Sequence, residues 1–163
     1  MSKVRNVSLD PACTRERDTW RTSAASDGSG HYTYTLTGST YGAFSPFNER
    51  SGQQMDGMVA FVALSSITGC AVENASRIAS GDDWFAWRFH DPITGNTNLT
   101  MAAGTPPVTL YKVGIYTFDD WQAMQKRGIR WFDGDSTLAL ETAGGGLSFL
   151  DPDVIHLRIE VAA

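Results

Sequence analysis

The sequence is poor in charge, and poorer still in lysine. Charged residues make up 19% of its 163 positions, below the roughly 25% of an ordinary soluble domain. Of the thirteen basic residues only Lys3, Lys112 and Lys126 are lysines. The net charge is -5, so the chain lacks the basic field that binding to a phosphate backbone or an anionic membrane surface requires. Nucleic acid is therefore not expected as its main partner.

Cysteine is scarce too. Cys13 and Cys70 form no CxxC pair and have no histidine beside them in the sequence, which excludes a zinc knuckle or a thioredoxin-like couple on spacing. They are expected as free thiols. No long hydrophobic run exists: the start, MSKVRNVSLDPAC, carries charge without an apolar stretch after it, and no window reaches the length of a membrane span. The expectation is synthesis in the cytoplasm without a signal peptide, and no membrane span.

Catalytic signatures are missing as well. No lysine closes a glycine-rich phosphate loop, no G-x-S-x-G pentapeptide occurs, and no feature brings His31, His90 or His156 to a cysteine. Acidic turns such as Asp82-Asp83, Asp133-Gly134-Asp135 and Asp151-Pro152-Asp153 lack the spacing of a calcium loop, and Asp in a turn commonly caps its own backbone. No catalytic residue, metal ligand or cofactor is assigned. Asp133 and Asp135 would be the metal ligands of a small hydrolase, the least favoured alternative.

What the sequence does hold is β-pattern. Tyr32, Tyr34 and Leu36 alternate with Thr33, Thr35 and Thr37, as in a half-buried strand. Residues 57–67 (GMVAFVALSSI) form a continuous apolar run that suits a strand covered on both faces. In residues 83–90, Phe85, Trp87 and Phe89 share one face, while Trp84, Arg88 and His90 share the other. Residues 108–118, with a possible bulge or close approach at Gly114, and residues 129–132, 136–141, 146–149 and 154–161 complete the strand candidates. Residues 70–80 fit a helix or a hairpin arm equally well, and 91–107 read as turns around one short strand. One helix is expected at about 119–127, capped by Asp119 or Asp120 and stopped by Gly128.

The pattern implies a mainly β chain: an antiparallel β-sandwich or partly closed barrel of seven to nine short strands with one short helix. Residues 1–30 are expected as an extended N-terminal arm and linker, with 31–163 as a single β domain. Pro11 breaks any early helix, 23–30 (SAASDGSG) is a small-residue linker, and Arg15 and Arg17 sit among interleaved acids. That mixture reads as a solvated arm with local ion pairs, or alternatively as an arm that binds phosphate.

Function is expected from surface rather than from chemistry. An arm that could reach a neighbour, a loop at 39–56 whose Tyr41, Phe44 and Phe47 rings should pack on the body or on a partner, and a bias to arginine over lysine fit a non-enzymatic assembly module. Such a module would bind itself or a larger protein lattice, for instance as a bacteriophage capsid decoration or tail protein in a virion. The alternative is a carbohydrate-binding sandwich that takes a glycan on Trp84, with Trp131 as a second platform and loop Asp and Asn side chains as hydrogen-bond partners. Trp84, Arg88 and His90 combine a flat ring, a forked donor and an imidazole on one strand face, which would suit either partner.

Overall fold

A computed structural model describes residues 2–8, 10–38, 40–47, 52–132, 137–140 and 159–161. The strands, in chain order, are β1 (Ser2–Arg5), β2 (Thr19–Trp20), β3 (Thr22–Ser26), β4 (Tyr32–Leu36), β5 (Tyr41–Phe44), β6 (Val59–Leu64), β7 (Cys70–Val72), β8 (Ala75–Ser80), β9 (Trp84–Phe89), β10 (Leu99–Ala102), β11 (Val108–Tyr116), β12 (Ile129–Phe132), β13 (Thr137–Leu140) and β14 (Ile159–Val161). A 3-10 turn at Gly52–Met55 precedes β6, and one α-helix, α1 (Phe118–Lys126), follows β11.

Two antiparallel sheets face each other. One has the order β3-β4-β11-β6-β9-β8 and the other β2-β5-β10-β7. They pack as a β-sandwich and do not close into a barrel. Two further pairs, β1 with β13 and β12 with β14, are also antiparallel. The strands outnumber the expected seven to nine because short ones lie where polar or glycine-rich sequence reads as arm, loop or turn.

Alternation of side chains builds two cores from the six-stranded sheet. Ala60, Val62 and Leu64 of β6 join Phe85 and Phe89 of β9 and Leu99 and Met101 of β10 between the sheets. Val59 and Phe61 point to the opposite face, where they meet Trp121 and Met124 of α1, Ile129, Trp131 and Val4. The central strand is thus covered on both sides, which explains its unbroken apolar run. A register shift between Leu110 and Lys112 lets β11 aim both Leu110 and Val113 at the inter-sheet core. Gly114 marks a close approach by a side chain: a Cβ there would lie 2.5 Å from the Tyr116 ring.

The helix begins one residue before the expected start. Thr117 is the N-cap, its hydroxyl accepting from the Asp120 N–H at 3.1 Å. Asp119 and Asp120 instead occupy the first turn, where their charge suits the positive end of the helix. Gly128, at φ +68°, terminates it. Residues 70–80 resolve as two strands in different sheets, β7 beside β10 and β8 beside β9, with Asn74 at φ +53° in the turn between them.

The N-terminal segment is extended, but it is not free. β4 pairs with β11 only over Val108–Leu110, and Asn6, Val7 and Pro11 take up the edge left beyond. The Val7 N–H donates to the Ile115 carbonyl at 3.0 Å, and the Val113 N–H donates to the Pro11 carbonyl at 2.9 Å. The Asn6 side chain mimics a strand: its Oδ1 accepts from the Ile115 N–H at 3.1 Å and its Nδ2 donates to the Val113 carbonyl at 3.3 Å. Residues 23–30 are likewise not a linker; they form β3 and its turn into β4, with Asp27 accepting from the Ser29 and His31 N–H groups. Backbone groups that an arm would give to water are satisfied here by strand edges.

Candidate functional site

The expected contact residues do not converge. Phe44 is buried and stacks on Tyr34, ring centroids 4.0 Å apart and nearly parallel; Phe47 is buried edge-on against Phe89 at 5.5 Å. Both belong to the inter-sheet core, because inward parity at β5 and the turn after it overrides the polar character of the loop sequence. Arg17 is also buried. Its guanidinium donates to Asp10 Oδ2 at 2.9 Å and to the Asp10 carbonyl at 3.2 Å, and its N–H donates to the Tyr34 hydroxyl at 3.0 Å. Asp10 further accepts from the N–H groups of Thr14 and Arg15 and from the Thr14 hydroxyl. A buried charge needs this kind of enclosure, so Arg17 has no role as a reaching arm. Arg15 is exposed beside this knot.

Trp84, Arg88 and His90 separate along β9. Arg88 stacks on Phe118 at 3.8 Å and donates to the Gly57 carbonyl. His90 is exposed just beyond the strand, its N–H donating to the Asn74 carbonyl at 2.8 Å. Trp84 is half-buried, stacked on Phe61 at 5.5 Å with the Arg130 guanidinium 5.4 Å from its ring. It borders a cleft of about 310 Å³ together with His31, Asp83, Tyr111, Arg130 and Trp131. Trp131 is buried, its indole N–H donating to the Val113 carbonyl at 3.0 Å, so it is not a platform. Residues 133–136, 146–149 and 151–158, with the Asp133 and Asp135 turn and His156, lie outside the described residues.

A different aromatic stands out. Trp20 is 50% exposed, the most exposed large hydrophobic side chain among the described residues. It lies opposite Ala43 in the β2–β5 pairing, and Ala43 lies opposite Thr100 of β10. Residues paired in this way share a face, so Trp20, Tyr41, Ala43 and Thr100 form the outer face of the four-stranded sheet while Phe44, Leu99 and Met101 point inward. Arg21, at φ +51°, makes the sharp corner by which the chain leaves β2 for β3 in the other sheet. Gly42 is required beneath that corner, since a Cβ there would lie 2.7 Å from the Arg21 carbonyl oxygen.

Polar groups ring Trp20 and are tied to one another. Tyr41 packs edge-on against Trp20 at 5.5 Å and donates its hydroxyl to Glu73 Oε1 at 3.0 Å. Glu73 Oε2 accepts from the Asn98 N–H at 3.3 Å, and the Glu73 N–H donates to the Asn98 carbonyl at 3.0 Å. The Ser45 hydroxyl donates to Asn98 Oδ1. The Ser45 N–H holds the chain at Asp18 by a 3.0 Å bond to its carbonyl. Partial burial, and then the neighbouring Glu73 carboxylate, push the Tyr41 phenol above its ordinary pKa, so it stays a donor through the neutral range. The Arg21 guanidinium lies 4.4 Å from the Trp20 ring centre.

Two depressions flank Trp20. One, of about 330 Å³, is lined by Trp20, Tyr41, Ala43, Glu73, Asn96 and Asn98. The other, of about 220 Å³, is lined by Asp18, Thr19, Trp20, Ala43, Ser45 and Asn98. Of these residues only Tyr41 is among the contact candidates picked out by sequence. The missed signal is Trp20 itself, one large ring within the polar run RERDTWRTS.

Among the described residues, no group of three or more His, Cys, Asp or Glu side chains is placed to hold a metal ion. No helix among them is long and apolar enough to cross a membrane. The chain matches no family model, no curated protein and no solved structure.

Proposed function

We propose that this protein is a non-enzymatic carbohydrate-binding β-sandwich whose platform is Trp20. The observation that supports it is the half-exposed Trp20 ring standing beside carboxylate, amide and hydroxyl groups on one rigid sheet face. A sugar ring is amphipathic in the matching way: its C–H face packs on an aromatic surface while its rim of hydroxyls seeks fixed donors and acceptors. Concave sites with an apolar wall and a few positioned polar groups are the usual form of a small-molecule site. Glu73 and Asn98 are held by Tyr41, Ser45 and each other, so little side-chain entropy remains to be lost on binding.

A glycan array probed with the intact protein tests this. Binding should be seen, should be lost in Trp20→Ala and kept in Trp84→Ala, and the bound glycan should be recovered uncleaved. Loss in Trp84→Ala alone would move the site to the other cleft, and cleavage would make the protein a hydrolase.

An assembly module, such as a virion component that docks on copies of itself or on a protein lattice, is the second reading. It draws on Ile78, 41% exposed on β8, one of the two edge strands of the six-stranded sheet. Against it, the register shift between Arg77 and Ala79 and the exposed Arg77 blunt that edge for strand pairing. Light scattering at high concentration distinguishes the two: a monomer removes self-association.

A further inference from the structure

We infer that Trp20 divides its site into two adjoining subsites that take consecutive rings of a neutral oligosaccharide and discriminate against acidic ones. This rests on the carbohydrate function proposed above and specifies its ligand. The two depressions share Trp20, Ala43 and Asn98, so they adjoin on one surface. Each contributes its own polar wall: Glu73, Asn96 and Tyr41 on one side, Asp18, Thr19 and Ser45 on the other. A single ring would use one wall, whereas two linked rings would use both and cover more of the exposed half of the Trp20 side chain.

Charge then selects among such ligands. Each subsite contains one acidic residue, Glu73 or Asp18, and neither contains a lysine or arginine among its described lining residues. Both Glu73 oxygens accept hydrogen bonds, from the Tyr41 hydroxyl and the Asn98 N–H, which fix the carboxylate in place. Arg21 lies over the Trp20 ring and is not among the residues that line either depression. A carboxylate-bearing sugar in either subsite would meet a like charge on its wall, with no lysine or arginine among the described lining residues to pair with it. Vicinal hydroxyls, by contrast, would find acceptors in Glu73 and Asp18 and a donor in the Asn98 amide.

Isothermal titration of the full-length protein with neutral galactose, glucose and mannose oligomers of one to four rings, and with galacturonic acid oligomers of the same lengths, tests this. Affinity should rise at least about tenfold from one ring to two and level off thereafter, because binding two linked rings adds contacts without a second association cost. Galacturonate dimers should bind about tenfold more weakly than galactose dimers, and the ratio should fall toward one in Glu73→Gln and in Asp18→Asn. Asp18 is exposed and contributes its backbone carbonyl to Ser45, so Asp18→Asn keeps the test open if Glu73→Gln misfolds. Equal affinity for one and two rings, a continuing rise beyond three, or galacturonate binding as well as galactose would overturn the inference while leaving carbohydrate binding intact. Absence of binding to every oligomer would overturn both.

Discussion

The Tyr41 hydroxyl donates to Glu73 Oε1 at 3.0 Å across the outer face of the four-stranded sheet. Tyr41 lies in β5 and Glu73 directly follows β7, and these strands do not pair with each other: β10 lies between them. Tyr41 therefore spans β10 and fixes the acidic wall of the site relative to Trp20, which it also touches. Tyr41→Phe keeps the ring contact and removes the donor. The fold should lose only about 0.5–1.5 kcal/mol by urea titration, while glycan affinity should fall several-fold because Glu73 is released to other rotamers. Unchanged affinity in a folded Tyr41→Phe would remove Glu73 positioning from the account.

Trp20 and Phe44 invert the usual link between aromatic size and stability. Trp20→Ala removes a side chain half in water whose contacts are Tyr41 and Arg21, and should cost no more than about 1 kcal/mol. Phe44→Ala opens a hole under the Tyr34 ring and should cost about 3–5 kcal/mol. Chemical denaturation of the two variants measures the difference directly.

The Asp10–Arg17 pair should prove integral to the fold. Asp10→Ala strands a buried guanidinium, and the expected loss is about 3–5 kcal/mol. Truncation before Thr19 should unfold the protein altogether, since it also exposes the β11 edge at Val113 and Ile115. A well-folded truncated chain with an unchanged denaturation midpoint would contradict the placement of this segment.

Alkaline pH should destabilise the protein in two overlapping steps. Burial pushes the Cys70 thiol from 9.0 up to about 12. Burial likewise pushes the Tyr34 phenol from 10.0 up to about 12, overriding the opposing hydrogen bond from the Arg17 N–H. Both groups hold their protons in the fold and lose them more readily when unfolded. Their contribution is thus fully present below pH 9 and declines as pH rises from 9 toward 12. Melting temperature followed against pH should fall through this window, and Cys70→Ala should move the onset from near 9 to near 10. Cys70 and Cys13 are both buried, so both should resist alkylation at pH 8 until denaturant admits the reagent.

Local periodicity made much of the body legible in the sequence. The alternation of Tyr32, Tyr34 and Leu36, the apolar run of β6, the split faces of β9 and the helix before Gly128 each follow from residues within a few positions of one another. The N-terminal segment did not, because its polar side chains are satisfied by partners far along the chain: Asn6 by Val113 and Ile115, Val7 by Ile115, the Arg17 N–H by Tyr34. A polar residue whose partner is a hundred positions away looks solvated in one dimension. Phe44 and Phe47 misled for the converse reason, since a glycine- and serine-rich neighbourhood hid their inward parity. The site joins Trp20, Tyr41, Glu73 and Asn98 through the pairing of β2, β5, β10 and β7, and no local spacing announces that sheet order.

The most direct test of Trp20 as the binding platform is a nitrogen-15 NMR titration that follows the five indole N–H signals as neutral galactose, glucose or mannose dimers are added. At least one dimer should shift the Trp20 signal saturably, with the buried Trp121 and Trp131 signals left in place and Trp20→Ala abolishing the effect. A Trp20 signal that stays fixed with every dimer, or a dimer that shifts Trp84 alone, would contradict the account.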